Sequence, residues 1–122
     1  MALLESGEMY LETILILSKE KNTVRAIDVA DFMGFSKPSV SRALGKLRDD
    51  KYIITDKNGY IAFTEKGRKI AEGVYEKHIV ITDLLQRLGV DEKTAEEDAC
   101  RIEHVISEKT FDAIRKHVEK YG

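Results

Sequence analysis

A change of hydrophobic period near residue 51 most constrains the fold of this chain. Before it, apolar side chains recur at helical spacing. After it, the β-prone runs Tyr52–Thr55 and Tyr60–Phe63 flank the turn sequence Asp-Lys-Asn-Gly, which predicts a two-stranded hairpin.

Three helices are predicted ahead of this hairpin. The first spans Glu8–Lys19, and the second spans Ala26–Met33 and is stopped by Gly34. The third is capped by Ser36, carries a proline in its first turn and ends near residue 50. Helix, short helix, glycine turn, helix and hairpin follow one another in the order of a winged helix-turn-helix.

The second half reads as helical throughout. A long helix is predicted from Thr64, a candidate N-cap, to its stop at Gly89. Asp91 caps a further helix, and Ser107 caps a last one that runs to Tyr121. We therefore expect a mainly α chain with one small β-hairpin.

Composition limits the class of protein. With 122 residues, 43% of them hydrophobic and 34% charged, the chain suits one globular domain, or a small domain with a dimerising appendage. No apolar run approaches the ~20 residues of a membrane span, and the start lacks a signal-peptide pattern. We expect a cytoplasmic protein that has no membrane partner and keeps its one cysteine as a free thiol.

The charge is unevenly distributed along the chain. The net charge of −2 argues against a nucleic-acid partner, but residues 36–69 hold nine Lys and Arg against four Asp and Glu. Residues 70–122 hold eight against twelve. This division is expected if the first part binds phosphates and the second does not.

The third helix carries the residues suited to DNA. Small hydroxyls and cations at the start of such a helix can reach base edges or phosphates, and Arg42 could read a guanine. Lys46, Arg48 and Lys57 would neutralise phosphates. The alternative is that Ser36 is only a helix cap and that the cations form a solvent-exposed surface with no DNA contact. The candidate DNA-binding residues are Arg25, Ser36, Lys37, Pro38, Ser39, Ser41, Arg42, Lys46 and Lys57.

A second cluster lies in the segment DACRIEHVISEK, residues 98–109. On a helix, Cys100, Glu103 and His104 would share one face, where they could hold a metal, form a nucleophile or simply pack. A nucleophile would need oxyanion donors and an orienting acid, and no such pattern is recognisable. We therefore expect neither an enzyme nor a small-molecule substrate.

Further donors for a metal stand on other predicted helices. The Met9 thioether could complete a site with the cysteine, glutamate and histidine above, while Glu12 is its i+3 neighbour and His78 lies in the long helix. Such mixed donors suit Fe(II), Co(II), Ni(II) or Zn(II) better than Mg(II) or Ca(II). Taken singly, each of these residues is more often a core or surface side chain.

Five segments together resemble the diphtheria toxin repressor family of iron- and manganese-dependent repressors. They are EMYLETI, SKPSVSRALGKL, IAFTEKGRKIA, EKHIVITDLLQRLGV and EDACRIEHVIS. The resemblance implies a winged helix-turn-helix DNA-binding domain at residues 1–69 and a helical metal-binding and dimerisation domain at 70–122. It also implies a homodimer that binds a double-stranded DNA operator and represses metal homeostasis genes.

The resemblance further implies a set of ligands. Met9, Cys100, Glu103 and His104 match the principal ligands of the iron-type branch, whereas the manganese-type branch has acidic residues at the first two positions. Fe(II) is therefore the expected metal, with Mn(II) as the second candidate. Where the ancillary site of the iron branch has an acidic residue and a second histidine, this chain has Thr82 and Glu96. Glu12, His78 and Glu96 could instead form a site nearer the manganese type.

The chain resembles a short form of the family without the SH3-like domain of longer members. The alternative function is a metal-independent winged-helix regulator that responds to a small-molecule effector and is indifferent to chelators.

Overall fold

The computed structural model describes residues 5–121 as six helices and one antiparallel hairpin. In chain order the elements are α1 (Glu5–Glu20), α2 (Ala26–Met33), α3 (Lys37–Asp49), β1 (Ile53–Thr55), β2 (Ile61–Phe63), α4 (Glu65–Arg87), α5 (Glu92–Ile102) and α6 (Glu108–Tyr121). The predicted fold class, mainly α with a small hairpin, is confirmed. The described residues form two compact units: unit 1 extends to Glu72, and unit 2 begins at Gly73.

Unit 1 is a bundle of three helices with a hairpin beside it. Helices α1, α2 and α3 contact one another, and β1 packs against α3. Apolar residues at helical spacing face inward because burying their surface stabilises the fold by roughly 25 cal/mol per Å² of apolar area removed from water. The innermost apolar residues of unit 1 are Leu11, Ile14, Val29, Val40 and, on β1, Ile53.

The turn between α2 and α3 forms as its residue types predict. Gly34 has φ 71°, a left-handed conformation that glycine adopts without strain, and its N–H donates to Ala30 O (2.9 Å). Ser36 then caps α3, its Oγ accepting from the backbone N–H of Ser39 (3.3 Å). The glycine that ends α2 and the serine that caps α3 together set where α3 starts.

The hairpin is held by its turn and by its register. Ile53 pairs with Phe63 and Thr55 with Ile61. Asp56 Oδ1 accepts from the backbone N–H groups of Asn58 (2.8 Å) and Tyr60 (3.0 Å). The hairpin projects Lys57 at its exposed turn.

The start of α4 lies directly against the backbone that precedes β1. Thr64 Oγ1 donates to Lys51 O (2.7 Å) and accepts from Gly67 N (3.1 Å). A Cβ atom placed on Gly67 would overlap the carbonyl oxygen of Tyr52. The close approach of α4 to the hairpin therefore requires glycine at this position.

Unit 2 has a smaller core, formed by α4, α5 and α6. Ile81, Ala99 and Phe111 are buried at its centre. Two ion pairs join α6 to α4. Lys77 Nζ lies 2.7 Å from Glu108 Oε1, and Arg115 Nη1 donates to Glu76 Oε1 (3.1 Å). Each pair has at least one exposed partner and adds little stability, so we expect packing around Ile81 to contribute most of it.

The predicted start of α1 at Glu8 and the predicted end of α5 are wrong. Helix α1 begins at Glu5. The segment DACRIEHVISEK was expected to be helical through Glu103 and His104, but α5 ends at Ile102 and the two residues lie in the following turn. Glu103 keeps helical dihedrals (φ −59°, ψ −25°), so the helical spacing from Cys100 still holds for it. The chain turns here because both Ile102 and Ile106 pack against the Ile81 core.

Within residues 5–121, no helix combines the length and the apolar character that crossing a membrane demands.

We expect replacement of Asp91 by asparagine to remove an acid-sensitive contribution to stability. The backbone N–H of Thr94 donates to Asp91 Oδ2 (3.0 Å), and this bond lowers the pKa of Asp91. Because the folded-state pKa lies below the unfolded value, the ionised cap stabilises fully above about pH 4 and loses that effect as pH falls through the folded-state pKa. Asparagine also caps well but does not titrate.

The check is urea unfolding of wild type and Asp91→Asn from about pH 6 to about pH 3. The difference in unfolding free energy should shrink as the pH falls. A difference that stays constant over this range would contradict the prediction.

Candidate metal centre and nucleic-acid interface

Glu103 is a fully buried carboxylate in unit 2, with 0% of its surface exposed. A charge in such a place is costly unless partners compensate it. Its Oε2 lies 2.8 Å from His78 Nδ1, and its Oε1 lies 3.3 Å from His104 Nε2. The His104 side chain is only 1% exposed, so the acid and the imidazole are buried together.

Cys100 joins this pair in a cluster of potential metal ligands. Cys100, Glu103 and His104 each offer one ligand atom, and these atoms lie within 4.8 Å of one another. Two atoms on opposite sides of one transition metal lie up to about 4.6 Å apart, so the spread is close to that of a bound site. Among the described residues, the buried Glu103 Oε1 accepts no hydrogen bond. A cation fits this donor set of sulfur, oxygen and nitrogen.

His78 reaches the cluster from α4 through Glu103. The hydrogen bond to Glu103 raises the pKa of His78; partial burial opposes the shift, and the charges of Glu103 and Glu96 add to it. The His78 side chain is 25% exposed. Glu96 itself is exposed on α5, one turn before Cys100.

Met9 and Glu12 lie on α1, in unit 1. Glu12 is 7% exposed, so the alternative of a solvent-facing carboxylate does not hold for it. Met9 is half-buried, and its carbonyl accepts from Thr13 Oγ1 (2.9 Å). Sequence reasoning selected both residues, and α1 places them one turn apart on the same helix.

The predicted DNA-binding residues of α3 are accessible. Ser39 is half-buried, and Arg42 Nη2 donates to its Oγ (3.4 Å). The exposed candidates on and before this helix are Ser36, Lys37, Pro38, Ser41, Arg42 and Lys46. The helix thus presents exposed hydroxyls at its start and exposed cations along its length.

Two arginines near this face have structural contacts as well. Arg25, at the start of α2, lies over the Tyr60 ring with 4.7 Å between guanidinium carbon and ring centroid. Arg48 donates to Thr55 Oγ1 (3.2 Å) and so links α3 to the hairpin. The sequence predicts a phosphate contact for Arg48, and its bond to the hairpin could not be predicted because Thr55 lies on another element.

Sequence reasoning missed an apolar recess of about 220 Å³ beside α3. It is lined by Ala26, Ile27, Lys37 and Ser41. Ile27 is 39% exposed although it is a large apolar residue on a short helix. No local pattern marks this recess, because its lining comes from two different helices.

Two family models together match almost the whole chain. Residues 2–61 match the iron dependent repressor N-terminal DNA binding domain. Residues 64–121 match the iron dependent repressor metal binding and dimerisation domain.

Individual relatives agree with these models. The chain is 33% identical over 116 residues to the HTH-type transcriptional regulator MntR of Geobacillus kaustophilus, covering 95% of this chain and 82% of the relative. MntR of Bacillus subtilis shows the same identity and coverage.

Solved structures extend the likeness to the fold. The manganese regulator SloR is 28% identical with a TM-score of 0.80, and the match covers 98% of this chain and 55% of SloR. The T. acidophilum IdeR structure, at 24% identity and a TM-score of 0.80 over 100% of this chain and 55% of IdeR, shows the fold alone. The chain spans about half the length of these two solved proteins.

The recognition made from the sequence is confirmed, as are the readings of a DNA-binding repressor and of a non-enzyme. A divalent metal, DNA and a dimer are supported at the level of the family. The chain belongs to the iron-dependent repressor family, whose members are metal-dependent winged-helix transcriptional regulators.

Proposed function

We propose that this chain binds a palindromic DNA operator as a homodimer and that Fe(II) promotes the binding, with Mn(II) as the second candidate. The observation that carries the proposal is the cluster of half-buried Cys100, fully buried Glu103 and His104, whose ligand atoms lie within 4.8 Å of one another. In the same chain, the accessible hydroxyl and cationic side chains of α3 suit a DNA groove.

The proposed ligands are those that the family resemblance implies: Met9, Cys100, Glu103 and His104. Cys100 supplies a thiolate, Glu103 a carboxylate oxygen and His104 an imidazole nitrogen, each of which must be deprotonated at the donor atom to bind a cation. Glu12, His78 and Glu96 remain predicted ligands of a second site. When bound, the metal supplies a positive charge that compensates the buried carboxylate.

Sulfur donors support Fe(II) over Mn(II). Thiolate and thioether ligands are soft, whereas Mn(II) favours carboxylate, carbonyl and water ligands. The family resemblance implies sulfur ligands at Met9 and Cys100, the two positions where the manganese type has acidic residues. The relatives named for manganese, among them SloR, set the opposite expectation, so the identity of the metal needs a direct test.

In the proposed switch, metal binding is coupled to DNA binding. Met9 belongs to the helix bundle that carries α3, and Cys100 belongs to unit 2. A cation that uses both would restrict the positions of two recognition helices in a dimer, whose half-sites lie ~34 Å or a multiple of it apart. A coupling free energy of ~1–3 kcal/mol would change DNA affinity roughly 5–150-fold.

The test is anaerobic capture of fragmented genomic DNA by the purified protein with Fe(II), with Mn(II) and with chelator. Enrichment of a few palindromic sites only with metal is the expected result, and the better cation identifies the physiological one. Equal enrichment with chelator would favour the metal-independent winged-helix regulator and would rule out the proposed switch.

At the DNA interface, we expect Arg42→Ala and Lys46→Ala to weaken operator binding in different ways. Loss of a guanine contact by Arg42 costs about 1–3 kcal/mol, and specificity relaxes at one base pair. Loss of a phosphate contact by Lys46 weakens all sequences similarly and reduces the salt slope by about 1. Fluorescence anisotropy against operator and mismatched duplexes, at several salt concentrations, measures both effects.

The control variant is Lys116→Ala, which removes an exposed cation from α6. It should leave affinity and salt slope unchanged. If Arg42→Ala bound every duplex as wild type does, Arg42 would not be a base-reading residue.

A further inference from the structure

Tyr60 stands immediately before β2, and hydrogen bonds fix its backbone on both sides. Its N–H donates to Asp56 Oδ1 (3.0 Å), and its carbonyl oxygen accepts from the Asp56 N–H (3.1 Å). The N–H of Ile61 donates to Val24 O (2.8 Å), which ties the hairpin to the residue before Arg25. The half-buried Tyr60 side chain is therefore a fixed aromatic surface beside the start of α2.

This ring holds the side chain of Arg25. The guanidinium carbon lies 4.7 Å from the ring centroid, within the roughly 6 Å at which a cation is attracted to an aromatic face. Among the described residues, no carboxylate forms an ion pair with this guanidinium. Asp28, the nearest acid in the sequence, instead receives the Lys21 ammonium at Oδ1 (2.7 Å) and the Arg25 backbone N–H at Oδ2 (2.9 Å). The charge of Arg25 is thus held by a neutral ring and stays available to a partner.

An aromatic ring holds a guanidinium without occupying its hydrogen-bonding capacity. Arginine has five N–H donors in one plane, and the ring offers no oxygen acceptor for them. Arg48 differs in this respect, because its Nη1 already donates to Thr55 Oγ1 (3.2 Å). A phosphate accepts two parallel bonds from a guanidinium, and a side chain that is ordered beforehand loses less entropy when it makes them.

We infer that Tyr60 is a positioning residue, which orients Arg25 toward a phosphate of bound DNA. The inference rests on the proposed function, since it takes exposed Arg25 as a DNA-binding residue. It adds Tyr60, whose effect on DNA affinity acts through the arginine. The hairpin therefore contributes to the DNA interface at its base as well as at Lys57 in its turn.

A double-mutant cycle separates this role from a general loosening of the hairpin. Its members are Tyr60→Leu, Arg25→Ala and the variant with both changes, and Tyr60→Phe tests whether the ring without its hydroxyl is sufficient. The matched control is Phe63→Leu, alone and with Arg25→Ala, because the Phe63 ring belongs to the same hairpin but lies under Arg68 (5.4 Å). Thermal unfolding of each full-length variant checks that it folds.

The measurement is fluorescence anisotropy of a duplex of arbitrary sequence, at several salt concentrations, with Fe(II) under anaerobic conditions. Phosphate contacts do not depend on sequence, so the operator need not be known. Arg25→Ala should reduce the salt slope by about 1. Tyr60→Leu should weaken binding about 2–5-fold in the wild-type background and have no effect beside Arg25→Ala, while Tyr60→Phe stays close to wild type. Phe63→Leu should have the same effect in both backgrounds.

Losses from Tyr60→Leu and Arg25→Ala that add up in the double variant would overturn the inference and leave the proposed function standing. Wild-type affinity in Tyr60→Leu, an equal loss in Tyr60→Phe, or an equally large coupling between Phe63 and Arg25 would do the same. Absence of salt-dependent DNA binding by the wild type would overturn the proposed function as well.

Discussion

Replacement of Cys100 by alanine is expected to abolish the effect of metal on operator binding while leaving the fold intact. The thiolate is the soft donor of the cluster, and without it Glu103 and His104 form a much weaker site. Affinity in the presence of metal should fall to the value measured with chelator, a loss of roughly 5–150-fold. The measurement is anisotropy of an operator duplex with Fe(II) and with chelator under anaerobic conditions.

The matched control is Arg101→Ala, which changes the exposed neighbour of Cys100 on α5. Its metal response should equal that of wild type. Thermal unfolding of Cys100→Ala without metal should also resemble wild type, because Cys100 is only half-buried and alanine favours helices. A wild-type metal response in Cys100→Ala would refute the assignment of Cys100 as a ligand.

Gly67→Ala is expected to have the largest effect on stability. The added Cβ would overlap the carbonyl oxygen of Tyr52 and lie 2.8 Å from its carbonyl carbon, and backbone atoms cannot move aside as a flexible side chain can. Either α4 or the hairpin must shift, which should cost at least about 3 kcal/mol of unfolding free energy. Operator binding should weaken as well, since the hairpin carries Lys57.

Gly73→Ala is the internal control for this prediction, since it makes the same change six residues further along α4. A Cβ at Gly73 meets no atom of the described residues within 4 Å. Alanine there should raise stability by about 0.5–1 kcal/mol, because it favours the helix over the unfolded chain. Urea unfolding measures both variants, and equal stabilities would show that Gly67 does not need its small size.

Local patterns were sufficient to predict most of the fold. Ala26–Met33 was predicted with the bounds that α2 has, and Ser36, Asp91 and Thr64 were chosen as caps that accept backbone hydrogen bonds in the structure. Each of these signals acts within a few residues, where backbone conformation and hydrogen bonding depend on residue type alone. The domain limits and site residues that the sequence predicted remain predictions.

Non-local contacts limited what could be predicted about the site. The spacing of Cys100, Glu103 and His104 suggested a shared face, but the end of α5 at Ile102 depends on how Ile106 packs in unit 2. The same limit applies to Arg48: its hydrogen bond to Thr55 could not be predicted because Thr55 belongs to another element, and its phosphate contact stays a prediction.

The sequence by itself determined the winged helix and the concentration of cations in residues 36–69, because short-range patterns specify both. The ligand residues follow from the family resemblance and stay predictions. Only the tertiary structure decided that Glu103 is wholly buried, that His78 holds one of its oxygens, and that Gly67 must lack a side chain. Each of these depends on packing between residues distant in the chain. Residue 78 lies 25 positions before its carboxylate partner.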